Sequence, residues 1–255
     1  MKKIVIYQEW GGLGDNLAHT TIPRLCKKYG YECYLSKHNK FRNNETYELL
    51  FKDLPLIDEK NDTWRDNTRI YKTTEWNHIR SIQLGYGFTE APYSYPFINY
   101  KPKYIKELKN ATLVDLSSIH LFKYNSNILT PENVKRIYNK ILELGNIDKI
   151  HQLYKNNYTN YKEMIVTDKK YKIDSLFDYC DALYSCKNFI TICSGQSNLA
   201  STIKNQFHNN TKLNIYTISL QKHLPPINYD SYFFRNTNYI ALDNGTLYKA
   251  TQHKG

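Results

Sequence analysis

The sequence lacks several features, and each absence removes a class of function. No apolar run approaches the roughly 20 residues that cross a bilayer. The N-terminal MKKIVIYQEWGG carries two lysines, but its apolar stretch is too short for a signal-peptide core. The chain therefore reads as a soluble, cytoplasmic protein with no integral membrane segment. Its five cysteines (Cys26, Cys33, Cys180, Cys186 and Cys193) form no CxxC pair. Reduced, buried thiols fit that pattern better than a disulfide scaffold or a zinc site. The GxxxxGK[ST] pattern of a P-loop is absent, as are internal repeats and low-complexity tracts.

What is present suits a folded domain. Of 255 residues, 41% are hydrophobic and 23% charged, enough to build a normal core. The formal charge is +11 and the pI about 9.2. Such a field attracts polyanions: nucleic acid, phosphorylated glycolipid or nucleotide-linked substrates. The basic residues are scattered, so a plain solubility charge is an equal reading. The abundance of Tyr, Lys, Asn and Ile matches AT-rich coding, as in low-GC bacteria and many phages.

Apolar patterning alternates between strand and helix. KIVIY and YECYLS read as strands, and NLAHTTIPRLCKKYG as a helix closed by Gly30 and kinked or split by Pro23. NNETYELLFKD and HIRSIQLGYGF read as further helices, and TRIYKTTEW as a strand. Residues 91–110, with three prolines, read as a connection. Beyond it the pattern restarts. ATLVDLSSI is a strand, and TPENVKRIYNKILELG a helix capped by Thr130 and ended by Gly145. EMIVTD is a strand, DSLFDYCDALYSC a helix opened by Asp174, and NFITICSG a strand. QSNLASTIKN is a helix and LNIYTISL a strand. No clear helix follows. Strands alternating with helices imply parallel sheets. The expected fold is α/β, with two small Rossmann-like parallel-sheet domains, residues 1–105 and 106–255, facing each other across a cleft.

Two stretches carry the chemistry. GGLGDNLAHTTIP follows the first strand, where parallel sheets place ligands. Glycines there permit positive φ and close approach of a ligand to the backbone. Gly12 and Gly14 fit the first two positions of a dinucleotide fingerprint. Leu17 stands where the third glycine belongs and no acidic residue ends the second strand, so hydride chemistry is disfavoured. Read alone, the stretch is a tight turn with Asp15 as a helix cap. The second constellation is YCDALYSCKNFITICSGQSNLASTIKN, in which Ser194, Gly195, Gln196 and Ser197 open a helix suited to a diphosphate. Read alone, it is an ordinary capped helix.

Together, in this order and in these halves, the stretches resemble the heptosyltransferase-like glycosyltransferases of family 9, which have the GT-B fold. The matched motifs cover about a fifth of the chain. The resemblance implies that Asp15, flanked by Gly12, Gly14 and Asn16 in an acceptor-side loop, is the catalytic base that deprotonates the acceptor hydroxyl. It implies that Ser194, Gly195, Gln196, Ser197 and Leu199 bind the nucleotide-sugar donor, and that Ser117 and Ser118 hold its phosphate. Cys193 departs from the aspartate common in the family, and Asn198 from its frequent histidine.

His19 stands one turn from Asp15. It either orients that residue or packs in the core, and packing is the commoner state. Glu9 is a reserve base. Tyr86, Tyr93 and Tyr95 offer a stacking surface or ordinary packing. Lys123, Lys187 and Lys222 are candidate diphosphate partners. No DxD triplet occurs, so no metal and no cofactor is expected beyond a nucleotide-sugar co-substrate, taken as UDP-linked.

The reading is an inverting, metal-independent glycosyltransferase, with hexosyl, pentosyl and heptosyl transfer all open. Charge, size and composition tilt the polyanionic acceptor towards hydroxymethylated cytosine in phage DNA, the enzyme then working in the host cytoplasm. A lipopolysaccharide or capsule glycan is the alternative. A non-catalytic nucleotide- or nucleic-acid-binding protein is the second.

Overall fold

Lys3–Ile6 forms β1, with Ile4, Val5 and Ile6 buried, as a β-branched run dictates. The computed structural model to which it belongs describes residues 1–61, 78–89, 95–117, 131–145, 150–154, 167, 169–207, 209–220, 236–243 and 246–249. These residues fall into two compact units, one within Met1–Lys101 and one that begins at Pro102.

In the first unit β1 pairs in parallel with β2 (Glu32–Ser36), setting Val5 beside Tyr34 and Ile6 beside Leu35. β2 pairs in parallel with β3 (Leu56–Ile57). The long helix expected after β1 is two helices, α1 (Leu13–His19) and α2 (Thr21–Tyr29). Pro23 explains the break. In one continuous helix its ring would press on the His19 carbonyl and its missing N–H would leave that carbonyl unpaired. Restarting at Thr21 puts Pro23 in the first turn, where no N–H is needed. Thr20 closes α1 through both its N–H (3.0 Å) and its hydroxyl (2.7 Å), each donated to Leu17 O. α2 ends as expected at Gly30, whose φ of 69° is left-handed. The unit also holds α3 (Asn44–Leu50), capped by Asn43, and α4 (His78–Gly85). The strand expected in TRIYKTTEW lies outside the described residues.

The second unit is a sheet of seven described strands. They are β4 (Thr112–Asp115), β5 (Ile150–Tyr154), β6 (Lys170–Lys172), β7 (Asn188–Ile192), β8 (Asn214–Leu220), β9 (Asn238–Asp243) and β10 (Thr246–Lys249). Their order is β10-β9-β8-β7-β4-β5-β6, antiparallel only between β9 and β10. Setting β10 aside, this is the doubly wound order that places a ligand crevice where the winding reverses, here between β4 and β7. Every residue of both strands is buried. Val114, Leu116, Ile190, Ile192 and Ile218 of the sheet region pack with Tyr138 and Ile141 of α5 (Pro131–Gly145). At the far edge β6 reads Lys-Tyr-Lys, with both lysines exposed.

The helix α6 (Leu176–Ser185) begins one residue later than expected. Its cap is Ser175, whose hydroxyl accepts from Asp178 N at 3.0 Å. Asp174 instead pairs with Lys172 at 2.8 Å. The helix α7 (Gly195–Gln206) follows β7 directly. β5, β6, β9 and β10 were not expected from the sequence. The EMIVTD strand and the Thr130 cap fall almost wholly outside the described residues. No described helix is long and apolar enough to cross a membrane.

Candidate functional site

The first constellation is built around Gly11 and Gly12. Gly11 takes a φ of 70°, a conformation that costs an L side chain about 1–2 kcal/mol. Arg42 N donates to Gly11 O at 3.1 Å and Lys40 N to Gln8 O at 2.8 Å, so the loop is clamped against residues 40–42. Gly12 begins α1 without a side-chain cap. A Cβ there would collide with the Asp15 carboxylate. Asp15 is half-buried in the first turn of α1.

Asn16 and His19, named with the acceptor-side loop, lie in the helix read there, and Gly14 joins them because α1 already starts at Leu13. Asn16 is fully buried and latches the loop. Its amide donates to Gly12 O (3.0 Å) and Lys40 O (3.2 Å), and its oxygen accepts from Asn39 Nδ2 (3.1 Å). His19 is 1% exposed. Its Nδ1 donates to the Asp15 carbonyl at 2.9 Å, and its ring meets Tyr86 edge-on at 5.9 Å. That is the geometry of a packed core histidine. Tyr86 is itself buried, and its hydroxyl accepts from Tyr7 N at 3.2 Å. It offers no stacking surface. Tyr95 and Glu9 are half-buried, and Tyr93 lies outside the described residues. Beside the clamp an open groove of about 490 Å³ is lined by Asn39, Lys40, Phe41, Asn43, Asn44 and Tyr47. The Asn39 Oδ1 atom accepts no hydrogen bond among the described residues.

The second constellation sits at the winding reversal of the second unit. Ser117, just past β4, and Ser194 to Gln196, just past β7, are half-buried neighbours. Gln196 joins the two strand ends. Its Nε2 donates to Ser117 O at 3.2 Å and lies 3.5 Å from Ser117 Oγ. Ser194 Oγ contacts Ile192 O (2.9 Å) and Gln196 Oε1. Ser197 is 3% exposed and Leu199 fully buried. Ser197 Oγ accepts from Ser194 N at 3.1 Å and donates to Ser194 O at 2.7 Å, which closes the start of α7. Gly195 supplies the first helical N–H. Ser118, Lys123 and Lys222 lie outside the described residues. Lys187 is at the other end of β7, about 17 Å of strand away at roughly 3.3 Å per residue, too far to touch a ligand there.

Two residues at this site were not singled out in the sequence. Asp115 ends β4 and is 7% exposed. Its Oδ1 accepts from Ser117 N (2.9 Å) and from Ser117 Oγ, and its Oδ2 from Tyr179 OH (2.7 Å). Burial pushes the Asp115 carboxyl above its ordinary value, and the bonds from Ser117 and Tyr179 pull the other way. Tyr179 is pushed well up by burial and by the Asp115 charge, so it stays a donor. The signal was an aspartate closing an apolar run in TLVDLSS. Cys193 is held protonated, its thiol raised to about 11 by burial, so the carboxylate of this edge comes from β4 and not from β7. Among the described residues no three His, Cys, Asp or Glu side chains gather to hold a metal ion.

No family model matches the chain, and no curated protein matches it by sequence. Solved structures do resemble it. TibC of enterotoxigenic E. coli H10407 is described as an iron-containing dodecameric heptosyltransferase in complex with ADP-D-β-D-heptose. The match to that complex has a TM-score of 0.53 and 15% identity over 90% of this chain and 61% of TibC. A family 9 glycosyl transferase from Veillonella parvula DSM 2008 matches at 0.51 and 11%, over 94% of this chain and 86% of that one. The E. coli ADP-heptose LPS heptosyltransferase II matches at 0.50 and 10%, over 100% of this chain and 94% of that one. The chain spans about three fifths of the length of TibC. None of these three is described as acting on DNA, so the DNA acceptor and the phage setting gain no support from them. At these identities the likeness is one of fold, and it agrees with the fold implied by the two motifs: the α/β fold of the heptosyltransferase-like, GT-B glycosyltransferases.

Proposed function

We propose that the chain is a glycosyltransferase that moves a sugar from a nucleotide-linked donor to an acceptor hydroxyl. One observation carries the reading: Gln196 bridges the ends of β4 and β7 at the winding reversal, where doubly wound sheets hold their ligands. The donor is assigned to this edge of the second unit. The N–H groups of the first turn of α7 receive its diphosphate, and Ser117, Ser194 and Gln196 give the edge its polar lining. The resemblance of the N-terminal motif supports assigning Asp15 to the acceptor. Its carboxylate takes the hydroxyl proton, late in the reaction because it is a weak base. The acceptor oxygen then attacks the anomeric carbon from the face opposite the diphosphate. The carbon–oxygen bond to the diphosphate breaks, its electron pair leaves with the nucleotide, and the configuration inverts.

A glycan acceptor of the lipopolysaccharide or capsule kind is preferred to DNA. The groove beside the glycine clamp is lined by amides and aromatic rings, a lining suited to sugar hydroxyls and ring faces. The similar structures are described with ADP-heptose and LPS, so an ADP-linked donor stands beside the UDP-linked one. The test is a transfer screen read by mass spectrometry. It pairs ADP- and UDP-sugars with lipopolysaccharide core and with hydroxymethylcytosine DNA, with and without EDTA. A mass gain on the glycan that survives EDTA and disappears in Asp15→Asn is the expected result. A gain on DNA alone overturns the acceptor. Salt-sensitive DNA binding without turnover would make the chain a binding protein.

A further inference from the structure

The donor edge of the second unit carries three serine hydroxyls, and each has one proton to give. Ser117 Oγ meets Asp115 Oδ1, which also accepts Ser117 N at 2.9 Å, while Tyr179 OH takes Oδ2 at 2.7 Å. With its carboxyl ionised, Asp115 accepts only, and all three contacts are donated to it. In that state the proton between Ser117 and Asp115 comes from Ser117. Ser197 gives its proton to Ser194 O at 2.7 Å. Ser194 gives its own to Ile192 O at 2.9 Å or to Gln196 Oε1. All three hydroxyl protons are committed within the protein. Ser117 remains half-exposed, and its oxygen, which already accepts Gln196 Nε2 at 3.5 Å, has only its remaining lone pair to present to a ligand. A phosphate oxygen placed there would meet lone pairs with lone pairs.

We propose that Ser117, held by Asp115, recognises the donor by accepting a hydrogen bond from one of its sugar hydroxyls, and does not bind its diphosphate. This rests on the donor site proposed above and reverses the role that the family resemblance implied for Ser117. The hydroxyl belongs either to the ribose or to the transferred sugar. The diphosphate is then left to the backbone N–H groups that open α7. Asp115 is a positioning residue, since it acts through Ser117 and touches no ligand.

Calorimetry on the full chain tests this with ADP and UDP, their 2′-deoxy and 3′-deoxy forms, the matching nucleotide-sugars, and inorganic pyrophosphate. Ser117→Ala is expected to weaken the preferred nucleotide up to about tenfold, the worth of one neutral hydrogen bond, and to leave pyrophosphate unchanged. A ribose contact predicts no further loss in the deoxy form that lacks the contacted hydroxyl. A contact to the transferred sugar predicts loss with the nucleotide-sugar and none with the nucleotide alone. Ser117→Thr, which keeps the oxygen, restores binding. Asp115→Ala removes the acceptor and releases the Ser117 proton, and pyrophosphate then binds severalfold more tightly, provided melting curves show the variant folded. Equal weakening of pyrophosphate by Ser117→Ala, or no loss with any ligand, overturns the proposal and leaves the donor site standing. Wild-type protein that binds none of these nucleotides overturns both.

Discussion

The two strand-to-helix turns, one in each unit, look alike in sequence and are built by different forces. The turn after β1 is shaped by distant partners. Gly11 holds a left-handed φ, and residues 39–42 clamp the loop through Asn16 and the backbone. The turn after β7 is shaped by its own side chains. Ser194 and Ser197 close the start of α7, and Gln196 reaches outside, to Ser117. A turn that depends on a second loop leaves room for a charged residue in its helix, here Asp15. A self-closing turn presents a fixed polar edge. The first is suited to an acceptor and the second to a donor that is the same in every turnover.

Variants can break this contrast. The largest effect is expected at Asp15. Asp15→Asn should lower transfer at least ~100-fold, the ordinary worth of a general base, while donor affinity in the second unit stays level by calorimetry. Asn16→Ala comes next. It strips the latch of its hydrogen bonds to Gly12, Lys40 and Asn39 and should cost about 2–3 kcal/mol in denaturant unfolding. Gly11→Ala should cost about 1–2 kcal/mol by forcing a side chain into the left-handed region. Ser197→Ala should cost only about 1 kcal/mol, the worth of a cap. If Ser197→Ala proves costlier than Asn16→Ala, the contrast is inverted.

The smallest effect is a slope. The carboxyl of Asp115 is raised by burial, so the folded state holds its proton at pH values where the unfolded chain has released it. Through that window, from the ordinary carboxylate value upward, ionisation costs the folded state more, and stability contributed by this group falls as pH rises. Melting temperatures of Asp115→Asn minus wild type should therefore increase as pH rises from about 4. A difference that shrinks would mean that the three hydrogen bonds outweigh burial.

Much of this was legible because the local rules are strong. β-branched runs gave β1, β7 and β8, and the left-handed C-cap at Gly30 followed from its residue type. What failed is also physical. β5, with His151 and Gln152, and the lysine-flanked β6 carry weak strand signals, and only pairing in the sheet makes them strands. The split at Thr20 was half-read: Pro23 announced a break but not its place. In the site, the residue types identified the two turns. They could not say which hydroxyl gives its proton to which oxygen. Asn16 was read as near the chemistry because it is next to Asp15 in sequence, and of the two readings of His19 its burial supports packing. Both are buried.

The outermost strands of the larger sheet have a consequence for solubility in crowded surroundings. An open sheet edge is a template for adding another chain, and proteins with long, flat, apolar edges assemble into fibres. Here β6 is three residues long with two exposed lysines, and β10 turns back antiparallel on β9. One rim carries charge, and the other ends in an antiparallel pair. Replacing Lys170 and Lys172 with valine would lengthen the apolar rim, and such a variant is expected to scatter light on warming well before the parent chain.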